Sequence, residues 1–376
     1  MADPQIRGFC PASFAAVRDA FAANFAEGLE LGARFALAIE GEIVVDLIGG
    51  WADRDQAKPF AETTLAPIFS STKALASLMV ARLVGEDRLR YGQPVAEAWP
   101  EFAAAGKGAI TVEQALSHQG GLCGLPGPME ARDWLDWEGI CRRLEAMAPL
   151  WPPGSASGYH PVTFGYLAGE IFRRIDGRTI GTALREDIAA PLGLDLWIGL
   201  PDAEHHRVTE VRRPSSLPKL GPITEVRRLA FLTKWASPGA ASLAELRRAE
   251  IPSVTGFATA TALAQAMGIL ACDGRLGGRR LLAPGVAAEA ARARISGPDL
   301  VLPYDLGWGA GLLRNEGLWI YGPGAATFGH SGWGGSCVFA DPERRLSGAY
   351  VMNRQSADLI GDPRSRRLID AAYAGL

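Results

Sequence analysis

Strand-forming segments lie near both ends of this 376-residue chain, and helical patterns fill the long stretch between them. Near the start, two apolar runs at residues 34–40 and 43–48 flank Gly41, which predicts a β-hairpin with a tight two-residue turn. Near the end, strand patterns cover residues 307–313, 317–321, 335–340 and 347–352. One antiparallel sheet assembled from both ends of the chain accounts for this order and predicts an α/β fold of the α+β type.

Helical periodicity predicts an opening helix over residues 12–28 and a strongly apolar helix over residues 70–86. Further helical patterns follow at residues 112–117, 131–147, 162–176, 179–190, 257–272 and 364–375. A stretch rich in Pro, Gly and Arg at residues 201–240 has only weak periodicity. Loops of that length are typical of covers over a site or of mobile segments.

The order of these patterns predicts two structural units. A sheet domain flanked by helices would combine residues 1–68 with residues 275–376, and a mainly helical domain of residues 69–274 would be inserted into it. A cleft between two such units is a natural place for a small-molecule site.

Composition and charge exclude several classes of function. The net charge is only −3, so nothing points to a nucleic acid or an anionic membrane surface as a partner. The first residues lack the pattern of a signal peptide, and no apolar run reaches the roughly 18 residues that a membrane-spanning helix needs. The 5 cysteines are widely spaced without a CxxC pair, which predicts reduced thiols and a cytoplasmic location. No HExxH or HxH pair is present, so we expect neither a metal nor another cofactor.

The first candidate for chemistry is Ser70 with Lys73, at the start of the apolar helix. Residues three apart on a helix share a face, so the Ser70 hydroxyl and the Lys73 amine can meet, whereas Ser71 lies on another side. A serine hydroxyl needs a base to become a good nucleophile, and burial lowers the pKa of a lysine ammonium toward that role. The alternative is that Ser70 merely caps the helix and Lys73 is solvated.

The second candidate is Tyr159, which a Pro/Gly/Ser-rich loop delivers to the beginning of a helix, with Pro161 suited to the first helical turn. Near a helix N-terminus and a lysine, we expect the phenol to deprotonate more easily and to relay a proton. The alternative is a half-buried tyrosine under a loop.

The third candidate is the glycine-rich segment 328–336, which leads into an apolar strand. Glycine in a strand often marks the close approach of another backbone or of a ligand. We expect an edge strand whose N–H groups face a substrate, as an oxyanion hole requires, with a glycine-rich bulge as the alternative.

No GxSxG nucleophile elbow is present, because Trp333 stands where the second glycine would be. His118, which closes a helix before a glycine turn, is interpreted as structural.

In this order, the SxxK pair, the Tyr-His pair and the His-Ser-Gly triplet resemble the family of class C β-lactamases and DD-peptidases, and most of all its esterase branch, the family VIII carboxylesterases. The similarity covers residues 12–372 and is carried by the segments 70–73, 110–122, 159–171, 190–195 and 329–336. The resemblance implies a sheet-plus-helical-domain fold and an acyl-enzyme mechanism. Ser70 would attack a carbonyl while Lys73 and Tyr159 manage its proton, and the N–H groups of Ser70 and Trp333 would form the oxyanion hole.

Departures from the family pattern favour an ester as the substrate. The third position of the family's Tyr-x-Asn motif is Pro161, which has no side-chain amide to hold a lactam. His330 replaces the lysine of the Lys-Thr-Gly motif and would be a weaker, pH-dependent partner for a substrate carboxylate. The resemblance places Gly332, Trp333 and His330 against the substrate, and Trp333 and Trp308 would add apolar lining.

The sequence therefore predicts a carboxylesterase that acts on small, short-chain esters. Three alternatives stay open. They are a weak β-lactamase or D-amino-acid peptidase or amidase, an acyltransferase, and a non-enzyme that only binds ligands.

Overall fold

A nine-stranded antiparallel sheet forms the centre of the computed structural model, which describes residues 5–233 and 243–376. Its strand order is β1-β3-β2-β14-β13-β12-β11-β10-β9, so strands from the two ends of the chain meet where β2 pairs with β14. This arrangement confirms the predicted sheet built from both termini.

The strands of the described residues are β1 Arg7–Phe9, β2 Gly32–Ile39, β3 Glu42–Gly50, β4 Ala66–Pro67, β5 Leu196–Ile198, β6 Gly256–Ala258, β7 Arg275–Leu276, β8 Arg279–Arg280, β9 Ile295–Pro298, β10 Asp305–Trp308, β11 Leu313–Arg314, β12 Phe328–Ser331, β13 Cys337–Asp341 and β14 Leu346–Met352. The α-helices of the same residues are α1 Ala15–Ala26, α2 Thr72–Gly85, α3 Val112–Leu116, α4 Trp137–Ala146, α5 Thr163–Asp176, α6 Ile180–Leu184, α7 Glu225–Arg227, α8 Leu243–Arg248, α9 Ala260–Ala271, α10 Val286–Ala291 and α11 Pro363–Ala374. Two small sheets, β4-β6-β5 and β7-β8, complete the set.

The hairpin of β2 and β3 turns through Glu40 and Gly41, which both have positive φ angles (52° and 85°). Two such residues in succession match the right-handed twist of the flanking strands. Strand β2 is almost entirely buried because both faces of the sheet are covered, and its one charged residue, Arg34, pairs with Asp46 on β3. Phe35 and Leu37 pack in the core beneath α1 and α11, whereas Ala36 and Ala38 belong to the core that α9 covers.

Helix α2 is buried along almost its whole length and packs against α5, α6, α9 and α10. A helix that is apolar all round is a core helix rather than a surface helix. Helix α9, within the residues 69–274 predicted to form the helical domain, packs on the sheet against β2, β13 and β14.

Two predicted strands differ from the structure. Residues 317–321 form a turn instead of a strand, because the side chain of Asn315 accepts from Tyr321 N and donates to two backbone carbonyls, while Trp319 has a positive φ angle. The strand at Phe328–Ser331 is not an edge strand. It pairs with β13 along its length and with β11 only at Phe328 and Gly329, so its second half is open on the β11 side.

The Pro/Gly/Arg-rich stretch at 201–240 is only partly within the described residues, since residues 234–242 lie outside them. The part that is described contains β-bridges from Val208 to Leu65 and from Arg212 to Arg354, together with the short helix α7.

A buried residue near the start of α11 fixes the position of the loop that follows β12. Arg364 is buried, forms ion pairs with Glu30 and Asp362, and donates to the carbonyl oxygen of Gly334 at 2.8 Å. A Cβ on Gly335 would lie 2.5 Å from both Arg364 and Asp362, so the loop and the ion pair are in direct contact. The ion pair therefore fixes the backbone next to Trp333.

We expect Arg364→Met to lower the free energy of unfolding by about 3–5 kcal/mol, because removing one partner leaves buried carboxylates without a counter-charge. Urea denaturation would measure this loss. The matched control is Arg366→Met on the exposed side of the same helix, which should change stability by less than about 0.5 kcal/mol. Equal stability of the two variants would show that the buried ion pair has no such role.

Candidate active site

Ser70 lies in a 3-10 turn, Phe69–Ser71, that leads directly into α2. Phe69 has a φ angle of +47°, a conformation that side chains other than glycine rarely adopt. Strain of this kind is held by its surroundings and is often found at functional sites. Ser70 is half-buried, whereas Ser71 is fully buried, so only Ser70 is open to a substrate.

Lys73 is buried one helical turn further, and its Nζ atom lies 3.0 Å from Ser70 Oγ. Its other two hydrogen-bond partners are backbone carbonyl oxygens, of Pro161 at 2.8 Å and of Ser253 at 3.2 Å. No carboxylate of the described residues forms an ion pair with Lys73. Burial without a counter-charge holds the pKa of the ammonium group well below its ordinary value.

A neutral Lys73 amine has two N–H groups and one lone pair. The two carbonyl oxygens of Pro161 and Ser253 match the two N–H groups, which leaves the lone pair for the Ser70 hydroxyl. The arrangement can therefore draw the proton from Ser70.

Tyr159 lies on the other side of this pair, with its ring centroid 4.9 Å from Lys73 Nζ. The prediction that its phenol deprotonates easily is wrong, because burial raises the pKa of Tyr159 above its ordinary value and outweighs the hydrogen bond with Ser70 that lowers it. A neutral lysine also offers no positive charge to favour a phenolate. Tyr159 is therefore a neutral phenol that can donate or relay a proton.

The end of β12 closes the site. Gly332 approaches the turn that carries Ser70 so closely that a Cβ there would lie 2.3 Å from Ile68 O and 2.1 Å from Ser336 Oγ. Ser336 donates to Ile68 O at 2.8 Å and is 3.2 Å from Ser71 Oγ, so these hydroxyls join the strand to the helix. Gly332 thus permits the close packing, and Ser71 has a structural role.

Trp333 is half-buried beyond Gly332, and its backbone N–H donates to no acceptor among the described residues. An amide of this kind next to the Ser70 turn suits an oxyanion donor. The assignment of the oxyanion hole to the N–H groups of Ser70 and Trp333 stays a prediction.

His330 and Trp308 form a layer behind Tyr159 instead of an exposed wall of the cleft. Trp308 is 1% exposed and stacks on Tyr159, and the His330 ring lies about 6 Å from both. His330 Nδ1 pairs with Ser331 O at 2.8 Å, while burial lowers the pKa of His330 to about 3. The prediction that His330 is a pH-dependent partner for a substrate carboxylate is therefore wrong, because its ring is neutral near pH 7.

His118 and His160 form a buried neutral pair beside Tyr159. His118 Nδ1 accepts from the His160 backbone N–H at 3.2 Å, and His160 Nε2 accepts from Leu122 N at 3.0 Å. Burial lowers the pKa of His118 well below its ordinary value and that of His160 to about 3. The structural role interpreted for His118 fits these contacts.

Asp299 is a residue of the site that sequence reasoning missed. Its buried Oδ1 atom accepts from the backbone N–H groups of Tyr159, Val301 and Leu302, each at 2.9 Å. It therefore clamps the Tyr159 loop to the segment before β10. The two segments are 140 residues apart in the chain, and Ser-Gly-Pro-Asp at 296–299 has no distinctive pattern, so no sequence signal marks the contact.

Within residues 5–233 and 243–376, no cluster of three or more His, Cys, Asp or Glu side chains is arranged to hold a metal ion. Each of the 5 cysteines is within these residues and is a free thiol. None of the described helices combines the length and the apolar character needed to cross a membrane.

The fold and this arrangement of Ser70, Lys73 and Tyr159 define a serine hydrolase. The sequence comparison is consistent with this class: residues 21–371 match the profile of the family described as Beta-lactamase. The chain belongs to the beta-lactamase family.

Three similar proteins illustrate the range of the family. Esterase/beta-lactamase LipL of Mycobacterium tuberculosis (strain ATCC 25618 / H37Rv) is 35% identical over 371 residues, which cover 95% of this chain and 85% of LipL. A solved penicillin-binding protein homolog from Caulobacter crescentus is 62% identical, with a TM-score of 0.98 over 99% of this chain and 100% of the homolog. A solved family VIII carboxylesterase is 42% identical, with a TM-score of 0.93 over 99% of this chain and 100% of its own.

We expect Asp299→Ala to slow covalent labelling of Ser70 by a serine-directed fluorophosphonate by about tenfold to hundredfold, because Tyr159 loses its anchor and small displacements in an active site are costly. Asp299→Asn keeps an acceptor oxygen for the three N–H groups and should recover most of the rate. Labelling would be followed by intact-protein mass spectrometry. Equal rates in Asp299→Ala and the parent would show that this clamp does not position Tyr159.

His330 makes stability depend on pH in a defined direction. Its folded pKa of about 3 is below the ordinary value of about 6.5, so its contribution to stability is complete above pH 6.5 and is lost as the pH falls toward 3. We expect His330→Gln to flatten the fall in the free energy of unfolding between pH 6 and 4 by about 1.4 kcal/mol per pH unit. Urea denaturation across this range measures the slope. The control is His206→Gln at an exposed position, and equal slopes for both variants would contradict the prediction.

Proposed function

We propose that this protein is a carboxylesterase that cleaves small, short-chain esters through an acyl-enzyme on Ser70. The observation that carries the proposal is the buried Lys73 amine, 3.0 Å from Ser70 Oγ and held by two backbone carbonyl oxygens. A neutral amine in this position is the base that a serine nucleophile requires.

Acylation begins with the attack of Ser70 Oγ on the ester carbonyl carbon. The Ser70 proton passes to Lys73, and the negative charge that develops on the carbonyl oxygen is met by the N–H groups of Ser70 and Trp333. Tyr159, a neutral phenol next to both Ser70 and Lys73, donates its proton to the departing alkoxide and regains one from Lys73. The alcohol leaves, and the acyl group is bonded to Ser70.

Deacylation reverses these proton transfers. A water molecule gives a proton to the Tyr159–Lys73 pair as its oxygen attacks the acyl carbonyl, and the same N–H groups stabilise the second tetrahedral intermediate. Ser70 Oγ leaves and takes a proton back. The products are the carboxylic acid and the free enzyme.

The surroundings of Ser70 favour an uncharged acyl group. Burial lowers the pKa of His330 to about 3, so the ring is neutral near pH 7, and it holds the pKa of Lys73 well below its ordinary value, so neither residue favours a substrate carboxylate. Pro161 presents a backbone carbonyl to Lys73 and has no side-chain amide for a lactam. The names of two relatives, an esterase/beta-lactamase and a family VIII carboxylesterase, support an ester as the substrate.

Hydrolysis of β-lactams is a secondary candidate. It is supported by the name of LipL, which includes both activities, and by the intact Ser70–Lys73–Tyr159 arrangement, which suits any activated acyl donor. Without a cation for the lactam carboxylate, we expect it to be the weaker activity.

We expect Ser70→Ala, Lys73→Ala and Tyr159→Phe each to lower kcat/KM for p-nitrophenyl acetate and butyrate by at least about a hundredfold, because each removes the nucleophile or a proton carrier. Ser71→Ala is the matched control. Its hydroxyl binds Ser336 and the His330 carbonyl away from the cleft, so it should retain activity. The rate of p-nitrophenol release is measured for the parent protein and the four variants.

Four outcomes would contradict parts of the proposal. Damage from Ser71→Ala equal to that from Ser70→Ala would overturn the nucleophile assignment. Turnover of nitrocefin well above that of the esters would favour a β-lactamase. Faster ester cleavage with added alcohols, together with the exchanged ester, would indicate an acyltransferase. No turnover and no mass gain from a serine-directed phosphonate would indicate a protein that only binds ligands.

A further inference from the structure

A cavity of about 500 Å³ lies apart from the Ser70 site, at the far end of α9. Its wall is formed by the β7–β8 hairpin, α10, the start of β12 and the turn between β13 and β14. It shares no lining residue with the site described above. Its volume is within the range of small-molecule pockets.

Five arginines line this cavity, and the acidic lining residue is Asp273. Asp273 Oδ1 is already engaged, because it accepts from the backbone N–H of Gly285 at 2.8 Å. The lining arginines are Arg275, Arg280, Arg292, Arg314 and Arg345.

Two of these arginines are neutralised by carboxylates, since Arg292 pairs with Glu113 and Glu289, and Arg345 pairs with Glu40. Of the other three, Arg314 forms only a longer ion pair, with the exposed Glu316 at 3.8 Å. Arg280 donates to the backbone carbonyl oxygens of Asp273 and Leu282, and Arg275 forms no ion pair in the part of the chain that the structure describes.

Arg314 is the most informative of the three. It donates to the carbonyl oxygen of Ala291 at 2.6 Å, and its nearest carboxylate is that of the exposed Glu316 at 3.8 Å. Its Nε atom is buried and has no hydrogen-bond partner. The Arg314 side chain as a whole is 17% exposed and lines the cavity, so it adds positive charge to that surface.

The rest of the lining is apolar, with Leu270, Ala287, Ala291 and Phe328 among its residues. Guanidinium groups match the two oxygens of a carboxylate, and an apolar lining matches a hydrocarbon body. We propose that this cavity binds an organic monocarboxylate with an apolar body, such as a medium-chain fatty acid. Such acids are also products of ester cleavage, but the proposed binding site does not rest on that activity.

The test is isothermal titration of the full-length Ser70→Ala protein with decanoate at pH 7.5 and low salt. We expect saturable binding of one decanoate in this variant, with affinity equal to that of the parent, because Ser70 is not part of the cavity. Arg314→Met should weaken binding by about tenfold to hundredfold, as expected for the loss of a charged hydrogen-bond donor. Arg275→Met should also weaken decanoate binding. Because Arg275 is exposed, this variant is expected to fold normally, and it separates loss of binding from misfolding of Arg314→Met.

The matched control is Arg279→Met. Arg279 precedes Arg280, does not line the cavity and donates to the carbonyl oxygen of Pro191, so its loss should leave the affinity unchanged. Decanol and inorganic sulfate test the two halves of the ligand, and each should bind at least tenfold more weakly than decanoate. Absence of binding, loss of binding through Ser70→Ala, insensitivity to both cavity arginines, or equal affinity for decanol or sulfate would overturn the proposal.

Discussion

The burial of Lys73 without a counter-charge is the constraint on which the rest of the site depends. Taking a charged amine out of water costs several kcal/mol, and for this reason burial holds the pKa of Lys73 well below its ordinary value and favours the neutral amine. The carbonyl oxygens of Pro161 and Ser253 then satisfy its N–H groups and orient it toward Ser70. On the proposed mechanism, the surroundings of Lys73 therefore both favour its neutral form and direct it toward Ser70 as the nucleophile.

That arrangement requires three distant segments to pack around the first turn of α2. Ser253 precedes β6, and its hydroxyl donates to Val162 O at 2.7 Å, so the loop that carries Tyr159 is tied to it. Gly332 lets β12 approach the Ser70 turn, and the buried Arg364 fixes the loop beyond it. The positive φ angle of Phe69 is held within this packing, which explains how a strained residue persists next to the nucleophile.

The main features of the fold could be predicted from the sequence, because hydrophobic periodicity and turn-forming residues are local signals. The β2–β3 hairpin, the core helix at Ser70 and the sheet built from both ends follow from such patterns, and the helical spacing brings Ser70 to Lys73. Contacts between distant segments have no local signal, so the clamp by Asp299 and the interior position of β12 were not predicted. The predicted direction of the Tyr159 pKa shift was wrong for a related reason: burial, which sequence patterns do not measure, outweighs the hydrogen bond with Ser70.

The Ser70 site and the cavity at the far end of α9 differ in their electrostatics. Burial near Ser70 lowers the pKa values of Lys73 and His330 and raises that of Tyr159, which the nearby carboxylate of Asp299 raises further, so all three shifts favour uncharged groups. On the proposed mechanism, an uncharged ester enters such a site without displacing a counter-ion, and the carboxylate product finds no cation to hold it. At the far end of α9, Arg275 and Arg280 form no ion pair with the described residues, and Arg314 pairs only with the exposed Glu316, so positive charge is concentrated there. On the two proposals, one fold separates an uncharged site for ester cleavage from a cationic site for binding an acid.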